Sequence, residues 1–213
     1  MDVKMIRVAC FIDGFNLYHA VHDLRRNELK WLNLRKLMEH FIDPKIHEIV
    51  AIYYFSAFAE WLPEEVRRHK AYVEALKCFG VTPVMGRFKE KELSCNRCDH
   101  AWTGHEEKQS DVNIAIWMVR EAFRNMYDEA FLVTQDSDLA PVLEFINEMP
   151  KKRRVKIIGP PARRHSKELY QLSAKQVKIQ TVHLERSLLP EAIKDPKGNV
   201  IVKRPKEYDP PIS

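Results

Sequence analysis

Short apolar runs alternate with longer amphipathic stretches along most of this chain, and no other feature constrains its fold as strongly. Apolar runs of about four to eight residues are typical of buried strands, whereas apolar residues three or four positions apart are typical of helices. Strands and helices that alternate along a chain form a mostly parallel sheet with helices on both faces. The sequence therefore predicts an α/β fold with a mostly parallel central sheet.

The predicted strands and helices follow one another in nearly strict alternation. The strands cover residues 7–12, 48–55, 82–87, 130–134, 155–158 and 178–182. The helices cover residues 15–24, 34–40, 63–79, 111–127, 139–149 and 167–173. Ser110 is a good N-cap for the helix at 111–127, whose apolar residues recur at helical spacing. We expect this apolar stripe to pack on the sheet; it consists of Val112, Ala115, Ile116, Val119, Ala122, Phe123 and Met126.

Length and composition are those of one globular domain with an appendage. The chain has 213 residues, of which 45% are hydrophobic and 31% charged, and this excludes wholesale disorder, collagen and coiled coil. We assign the α/β domain to residues 5–185, with an inserted Cys-containing hairpin at 92–105. Residues 186–213 are rich in Pro and Lys, and we expect an extended C-terminal tail.

The lack of long apolar runs and the low cysteine content indicate a cytoplasmic protein. No apolar run approaches the roughly 20 residues of a membrane helix, and the run at 8–12 is too short for the core of a signal peptide. Four cysteines are far from a disulfide scaffold, which agrees with a reducing compartment. The net charge of +5 is compatible with a polyanionic partner but is too small to establish one.

Acidic side chains stand at three places where a helix is predicted to begin. Asp13 and Asn16 follow the first strand, Asp111 opens the long helix, and Asp136 and Asp138 follow the fourth strand. The carboxyl ends of parallel strands meet at one edge of a sheet, where ligands bind in such folds. We therefore expect these side chains to gather at that edge.

Carboxylates gathered at one edge are typical of a divalent metal site. Their charges repel one another and raise each other's pKa unless a cation compensates. Oxygen ligands suit Mg²⁺ or Mn²⁺, and such an ion activates water and offsets the charge that develops on a phosphodiester. For each residue taken alone, a simpler interpretation stays open, because Asp is also a favoured helix N-cap.

Three segments resemble the NYN domain proteins of the PIN-like nuclease superfamily, in that family's order. They read Phe-Ile-Asp-Gly-Phe-Asn-Leu-Tyr at 11–18, Glu-Lys-Gln-Ser-Asp-Val-Asn-Ile-Ala at 107–115 and Leu-Val-Thr-Gln-Asp-Ser-Asp-Leu at 132–139. Gly-Pro-Pro at 159–161, followed by two arginines, is similar to the bacterial branch of the family. The similarity extends over residues 7–182.

This resemblance implies a Rossmann-like PIN/NYN fold and a metal-dependent ribonuclease that uses Mg²⁺ or Mn²⁺ to hydrolyse RNA phosphodiester bonds. By position, Asp13, Asp111, Asp136 and Asp138 match the family's acidic metal site, and Asn16 is its polar neighbour. A non-catalytic nucleic-acid-binding or adaptor module with the same fold is the alternative. The four matching carboxylates favour the enzyme.

Two positions depart from the family's pattern, and two rival folds fit less well. Gln135 stands where a small residue is usual, and Glu121 stands where relatives often carry a further Asp in the long helix. A haloacid dehalogenase-like phosphatase would have Asp in place of Phe15. A Toprim domain would have Glu in place of Asp13.

The predicted hairpin carries a group of metal-binding residue types. Cys95, Cys98, His100 and His105 lie within eleven residues and supply up to four ligands, the number that structural Zn²⁺ requires. A strong zinc ribbon would have a second pair of cysteines at the same spacing, and this sequence has one pair. The segment is therefore either a zinc knuckle or a polar loop with two free thiols.

Two basic clusters differ in their placement relative to the fifth strand. Residues 151–154 precede it and are interpreted as a solvated turn at the edge opposite the carboxylates. Arg163, Arg164 and Lys167 follow it, so we expect them near the acidic site in contact with substrate phosphates. Lys108 is a further candidate for phosphate contact. The expected partner is single-stranded RNA, and no membrane association is expected. Whether the chain forms a homo-oligomer is left open.

Overall fold

The computed structural model describes residues 4–94, 97–98, 100–164 and 166–211. The strands are β1 (Ile6–Asp13), β2 (His47–Ser56), β3 (Thr82–Met85), β4 (Arg87–Ser94), β5 (Ala101–Lys108), β6 (Glu129–Val133), β7 (Arg154–Gly159), β8 (Lys175–Lys178), β9 (Ala192–Lys194) and β10 (Val200–Lys203). The helices are α1 (Gly14–His22), α2 (Leu34–Glu39), α3 (Pro63–Cys78), α4 (Ser110–Phe123), α5 (Ala140–Glu148), α6 (Lys167–Leu172) and α7 (Thr181–Glu185).

A six-stranded sheet forms the centre of the molecule, with the strand order β3-β2-β1-β6-β7-β8. Every neighbouring pair in it is parallel. The chain builds the sheet outward from β1 to β3 and then continues on the other side of β1 with β6. This change of direction is a topological switch point, where open parallel sheets bind ligands. The predicted α/β fold with a mostly parallel sheet is confirmed.

Side chains of β1 alternate between two hydrophobic cores, as the two-residue period of a strand requires. Val8, Cys10 and Ile12 face the core that helices α1, α2, α3 and α7 cover. Ala9 and Phe11 face the core that helices α4, α5 and α6 cover. All five are fully buried. Burial on both faces explains why this strand reads as an uninterrupted apolar run.

The buried face of α4 differs from the predicted stripe. Ile114 and Met118 are fully buried against the sheet, whereas Val112, Ile116 and Phe123 are 59%, 56% and 69% exposed. The helix is apolar on more than one side, so its periodicity is compatible with two orientations. The prediction that this stripe packs on the sheet was therefore wrong for most of its members.

The end of the sheet also differs from its prediction. The last strand of the six-stranded sheet is β8, which ends at Lys178. Most of the predicted strand at 178–182 lies beyond it. Helix α7 begins at Thr181, and the backbone N–H of Gln180 donates to His183 Nδ1 at 3.1 Å. This contact satisfies an amide at the helix start. The β-branched residues there suggested a strand, but the local hydrogen bonding favours a helix.

The inserted hairpin is longer than the predicted 92–105. Strands β4 and β5 pair antiparallel from Arg87 with Lys108 to Ser94 with Ala101. The predicted strand at 82–87 is divided at Gly86, between β3 and β4. The hairpin packs on the loop before α3, where the ring of His105 stacks on Trp61 at 3.6 Å between centroids.

The C-terminal segment is more structured than an extended tail. Strands β9 and β10 form an antiparallel pair. Leu189 and Ile193 pack against the buried ring of Trp31.

Among the helices of the described residues, none combines the length and the apolar character needed to cross a membrane.

Candidate active site

An acidic cleft of about 360 Å³ opens at the carboxyl ends of β1 and β6, beside the switch point of the sheet. Three of the four predicted carboxylates line it, together with the predicted asparagine and one predicted arginine. These residues are Asp13, Asn16, Asp111, Asp136 and Arg163. The topology thus brings together side chains that lie far apart in the sequence.

Asp13 is the most buried carboxylate of the acidic cleft. It is 4% exposed and precedes α1, whose Asn16 N–H donates to Asp13 Oδ1 at 2.9 Å. Its second oxygen, Oδ2, accepts from Thr134 Oγ1 at 3.1 Å. Burial raises the pKa of Asp13 to about 6, against the two hydrogen bonds, and the charges of Asp111 and Asp136 raise it further.

Thr134 links two of the carboxylate-bearing segments and was not among the predicted site residues. Its hydroxyl donates to Asp13 and accepts from the backbone N–H of Asp136 at 3.1 Å. The residue is fully buried at the end of β6. Its place in the same sequence segment as Asp136 was the available signal, but a Thr after a strand has no distinctive spacing.

Asp138 is placed differently from the other predicted carboxylates. It is exposed and lies outside the set of residues that line the acidic cleft. Its backbone N–H donates to Asp136 Oδ1 at 3.0 Å, so it fixes the orientation of that carboxylate. Its own charge contributes to raising the pKa of Asp111.

Asp111 lies in the first turn of α4, next to a further carboxylate from the hairpin. Burial raises its pKa first, followed by the charges of Asp136, Glu107 and Asp138. Glu107 lines the acidic cleft and accepts from Ser110 N at 3.1 Å and from Ser110 Oγ at 2.6 Å. Glu107 was not among the predicted site residues, although it stands in the same segment as Asp111.

The start of α4 is built differently from its prediction. Gln109, with φ of 82°, is the N-cap, and Ser110 is the first residue of the helix. Glu107 therefore accepts a hydrogen bond from a backbone N–H of the first turn. Ser110 had been predicted for this capping role. The left-handed backbone at Gln109 turns the chain from β5 into the helix.

The predicted phosphate-binding residues separate into different environments. Arg163 lines the acidic cleft and forms an ion pair with Asp23. Arg164 is exposed, and its carbonyl oxygen accepts from the side chain of Gln135. Lys167 is exposed at the start of α6. Lys108 Nζ lies 2.7 Å from Glu106 Oε1.

The cluster at 151–154 is not uniformly a solvated turn. Arg153 is 7% exposed, and its guanidinium donates to the carbonyl oxygens of Ala122 and Lys151. It also lies over the ring of Tyr127, 5.7 Å from the ring centre. Arg153 is therefore a structural residue, whereas Arg154 is exposed at the start of β7. The expectation of solvation was wrong for Arg153.

Glu121 belongs to the core of the helix layer rather than to the acidic cleft. It is 2% exposed, and Arg120 Nη2 lies 2.6 Å from its Oε1. Ten residues separate it from Asp111 along α4, which corresponds to about 15 Å. The ion pair accounts for its buried charge.

The donor set of the acidic cleft fits a hard cation. Among the residues that the structure describes, no three His, Cys, Asp or Glu side chains converge as a preformed metal cage. Mg²⁺ needs no such cage, because it binds through one or two carboxylates and keeps several of its waters. A buried carboxyl with a pKa near 6 beside two further carboxylates is a group that a cation would stabilise in its charged form.

Among the predicted zinc ligands, His105 stands apart from Ala101, the residue at which β5 begins. Cys95 lies outside the described residues, and Cys98 and His100 are exposed. His105 is paired with Glu90 four positions along the strand from Ala101, a separation of about 13 Å. Zinc ligands must all lie about 2 Å from one ion, so His105 does not share an ion with Cys98 at the tip.

The sequence pattern that defines the NYN domain matches residues 7–180. The matched range holds the parallel sheet, except for its first residue Ile6, and every residue that lines the acidic cleft. The chain belongs to the NYN domain family. The NYN domain is part of the PIN-like nuclease superfamily, whose members are generally nucleases that bind nucleic acid.

Two individual proteins are similar to this NYN chain. The 6-hydroxy-3-succinoylpyridine 3-monooxygenase HspA of Pseudomonas putida is 28% identical over 182 residues, which cover 68% of this chain and 57% of that protein. The chain thus spans little more than half of that relative. The crystal structure of a protein of unknown function from Vibrio parahaemolyticus has a TM-score of 0.58 and 20% identity, with 89% of this chain and 99% of that chain covered. That likeness shows the shared fold.

Proposed function

We propose that this NYN chain is a metal-dependent ribonuclease that hydrolyses phosphodiester bonds in single-stranded RNA. The observation that carries the proposal is the acidic cleft at the switch point of the sheet, which Asp13, Asp111 and Asp136 all line. The family supports a nuclease, and the acidic donor set supports a metal-dependent one.

Asp13, Asp111 and Asp136 are the residues that would hold Mg²⁺ or Mn²⁺. When bound, such an ion supplies an activated water and offsets the negative charge that develops on the phosphodiester. Asn16 and Thr134 hold the two oxygens of Asp13 in fixed positions, and Thr134 also orients the backbone before Asp136. This prior ordering reduces the reorganisation needed when substrate arrives.

Arg163 and Glu107 act on the substrate side of the acidic cleft. Arg163 is the arginine that lines the cleft, and its planar guanidinium suits two phosphate oxygens at once. It also forms an ion pair with Asp23, the residue that follows the C-terminal end of α1. Glu107 stands next to Asp111, where its carboxylate can accept a proton from the attacking water.

The test is cleavage of end-labelled single-stranded RNA and DNA by the purified chain in Mn²⁺, Mg²⁺ or chelator. We expect RNA cleavage that requires the metal and that Asp136→Asn lowers by about 100-fold or more. Glu144→Gln makes the same change in charge on the exposed surface of α5 and should cleave normally. Cleavage that persists in chelator, or in Asp136→Asn, would refute the proposal.

Two other candidate functions predict different outcomes of the same assay. An adaptor module would bind RNA without cleaving it in any metal. A monooxygenase acting on a heteroaromatic small molecule is favoured by the Pseudomonas putida relative and by an aromatic cavity beside the acidic cleft. That reaction consumes dioxygen and two electrons from a reductant, so oxygen uptake with 6-hydroxy-3-succinoylpyridine and a nicotinamide reductant distinguishes it.

A further inference from the structure

A second and larger cavity of about 580 Å³ adjoins the acidic cleft. Its walls come from α1, residues 30–32, β2 with the loop after it, α3, the β4–β5 hairpin and the C-terminal segment. Phe15, His19 and Glu107 line both this cavity and the acidic cleft. Because the two cavities share these three residues, one extended ligand can occupy both of them.

Aromatic rings dominate the wall of this second cavity. Tyr54 and Tyr72 form its buried side, with ring centroids 5.9 Å apart and planes at 89°. Phe15 and Phe88 meet edge to face at 5.6 Å where the cavity approaches the acidic cleft. Flat apolar faces of this kind favour a planar ring over an aliphatic chain. The aromatic lining residues are Phe15, Tyr18, Tyr54, Tyr72, Phe88 and Tyr208.

Polar groups in the same wall match the edge of a heteroaromatic ring. Burial lowers the pKa of His69 to about 4, so this imidazole is neutral at pH 7, and its Nε2 lies 3.3 Å from Tyr54 Oη. Lys30 Nζ lies 5.2 Å from the ring centre of Tyr18. Arg68 lines the cavity as a second cation. Lys30 Nζ lies 2.9 Å from His22 Nδ1, and Arg68 donates to Glu65 and Glu207, so both cations are held in place beside the rings.

We propose that this cavity receives one unstacked base of single-stranded RNA, while a neighbouring phosphate of the same strand lies in the acidic cleft. The inference rests on the proposed ribonuclease function and names where the substrate's base binds. Stacking on Tyr18 and its neighbours supplies affinity, and Lys30 places a positive charge beside the stacked base. A duplex would not fit, because its bases are already stacked and paired.

Abasic RNA tests this directly, since removing one base removes its stack but keeps the phosphates. We would measure binding of a labelled ten-nucleotide single-stranded RNA, and of its ten single-abasic versions, with Ca²⁺ replacing Mn²⁺ and intact RNA verified on gels. We expect one position to show about tenfold weaker binding, the effect of removing one base–aromatic stack. Equal affinities for all abasic versions, or no measurable RNA binding, would overturn the inference.

Variants locate the effect in the cavity. Tyr18 is 42% exposed, so Tyr18→Ala should fold and should abolish the difference between the intact and the sensitive abasic RNA, whereas Tyr18→Phe should keep it. Phe123→Ala removes a 69% exposed ring at the far end of α4 and should leave the affinity difference between the two RNAs unchanged. Persistence of the difference in Tyr18→Ala would place the base elsewhere and overturn the inference.

Further measurements separate this inference from the ribonuclease proposal and from a free nucleotide as the ligand. Cleavage in Mn²⁺ without any position-sensitive binding would retain the ribonuclease and refute the base cavity. Position-sensitive binding without cleavage would retain the base cavity and refute the ribonuclease. If adenosine monophosphate bound as tightly as the RNA, with Tyr18-dependent affinity and no position-sensitive RNA binding, the ligand would be a free nucleotide and the RNA inference would fail.

Discussion

Single hydrogen bonds at the acidic cleft decide where its charges lie. Asp13 and Asp136 come from different strands, and the Thr134 hydroxyl bridges them by donating to one and accepting from the backbone of the other. Three carboxylates of the cleft, those of Asp13, Asp111 and Asp136, were predictable because acidic residues stand at several of the predicted helix starts. Thr134 was not, because its role depends on β1 and β6 being neighbours, which local sequence does not specify.

Thr134→Val should weaken the acidic cleft without removing any carboxylate. It keeps the shape of the side chain but leaves Asp13 Oδ2 and the Asp136 N–H without their partner. Loss of a residue that orients metal ligands typically costs about 10-fold to 100-fold in metal affinity or activity. We expect a fall of this size in Mn²⁺ affinity, measured by calorimetry, and in RNA cleavage. Thr134→Ser retains the hydroxyl and should restore both, and equal behaviour of the two variants would contradict the assigned role.

Strand direction determines which charged segments reach the acidic cleft. Arg163 follows β7 and lines the cleft, whereas Arg153 and Arg154 stand at the other end of the same strand. Chain direction was sufficient to make this distinction from sequence. Chain direction did not reveal that Arg153 is buried and lies over the ring of Tyr127, since a basic residue before a strand is exposed in most proteins.

The double variant Arg163→Ala with Arg164→Ala should weaken RNA binding and reduce its salt dependence. Removal of one side chain that binds a phosphate reduces the slope of log affinity against log salt by about one unit. The matched control is Lys152→Ala with Arg154→Ala, because both residues are exposed and Arg153 is not a neutral site. Affinity measured at several salt concentrations compares the two. A larger effect of the control pair would place the RNA on the opposite edge of the sheet.

We propose that zinc is bound by Cys95, Cys98 and His100, without His105. We expect bound zinc in the purified chain, and Cys98→Ser should remove it, because structural zinc needs its thiolate ligands. His105→Asn should leave the zinc content unchanged, since His105 lies about 13 Å along β5 from the tip. Elemental analysis of the three proteins measures this. Zinc loss in His105→Asn, or zinc-free wild-type protein, would contradict the proposed site.

At the scale of the whole molecule, the sequence was sufficient for the sheet but not for every surface packed on it. Continuous apolar runs identify buried parallel strands, and the acidic residues after β1 and β6 identify their shared edge. The orientation of α4 was not predictable, because Val112 and Ile116 are as apolar as Ile114 and Met118. The aromatic cavity was missed because its walls come from six separate segments, and because Tyr54, in an apolar strand, was interpreted only as a core residue.

Stability of the whole chain should depend on pH and metal through the acidic cleft. The pKa of Asp13 is about 6 in the folded protein and 3.8 ordinarily, so between these values the folded protein retains a proton that the unfolded chain has lost. Stability from this group is therefore greatest below about pH 4, falls as the pH rises through 6, and is constant above that. The full difference is at most about 3 kcal/mol.

Asp13→Asn should be more stable than the wild-type chain at pH 7.5 without metal, and this advantage should shrink toward pH 4.5. Comparison of the two proteins cancels other titrations, such as that of Asp128, whose pKa the Arg7 side chain lowers to about 2. Mn²⁺ should stabilise the wild type more at pH 7.5 than at pH 5, because at the lower pH it must displace a proton from Asp13. Thermal unfolding at both pH values, with and without Mn²⁺, measures these differences. A metal effect that is equal at the two pH values, or equally large in Asp13→Asn, would show that the cation binds away from Asp13.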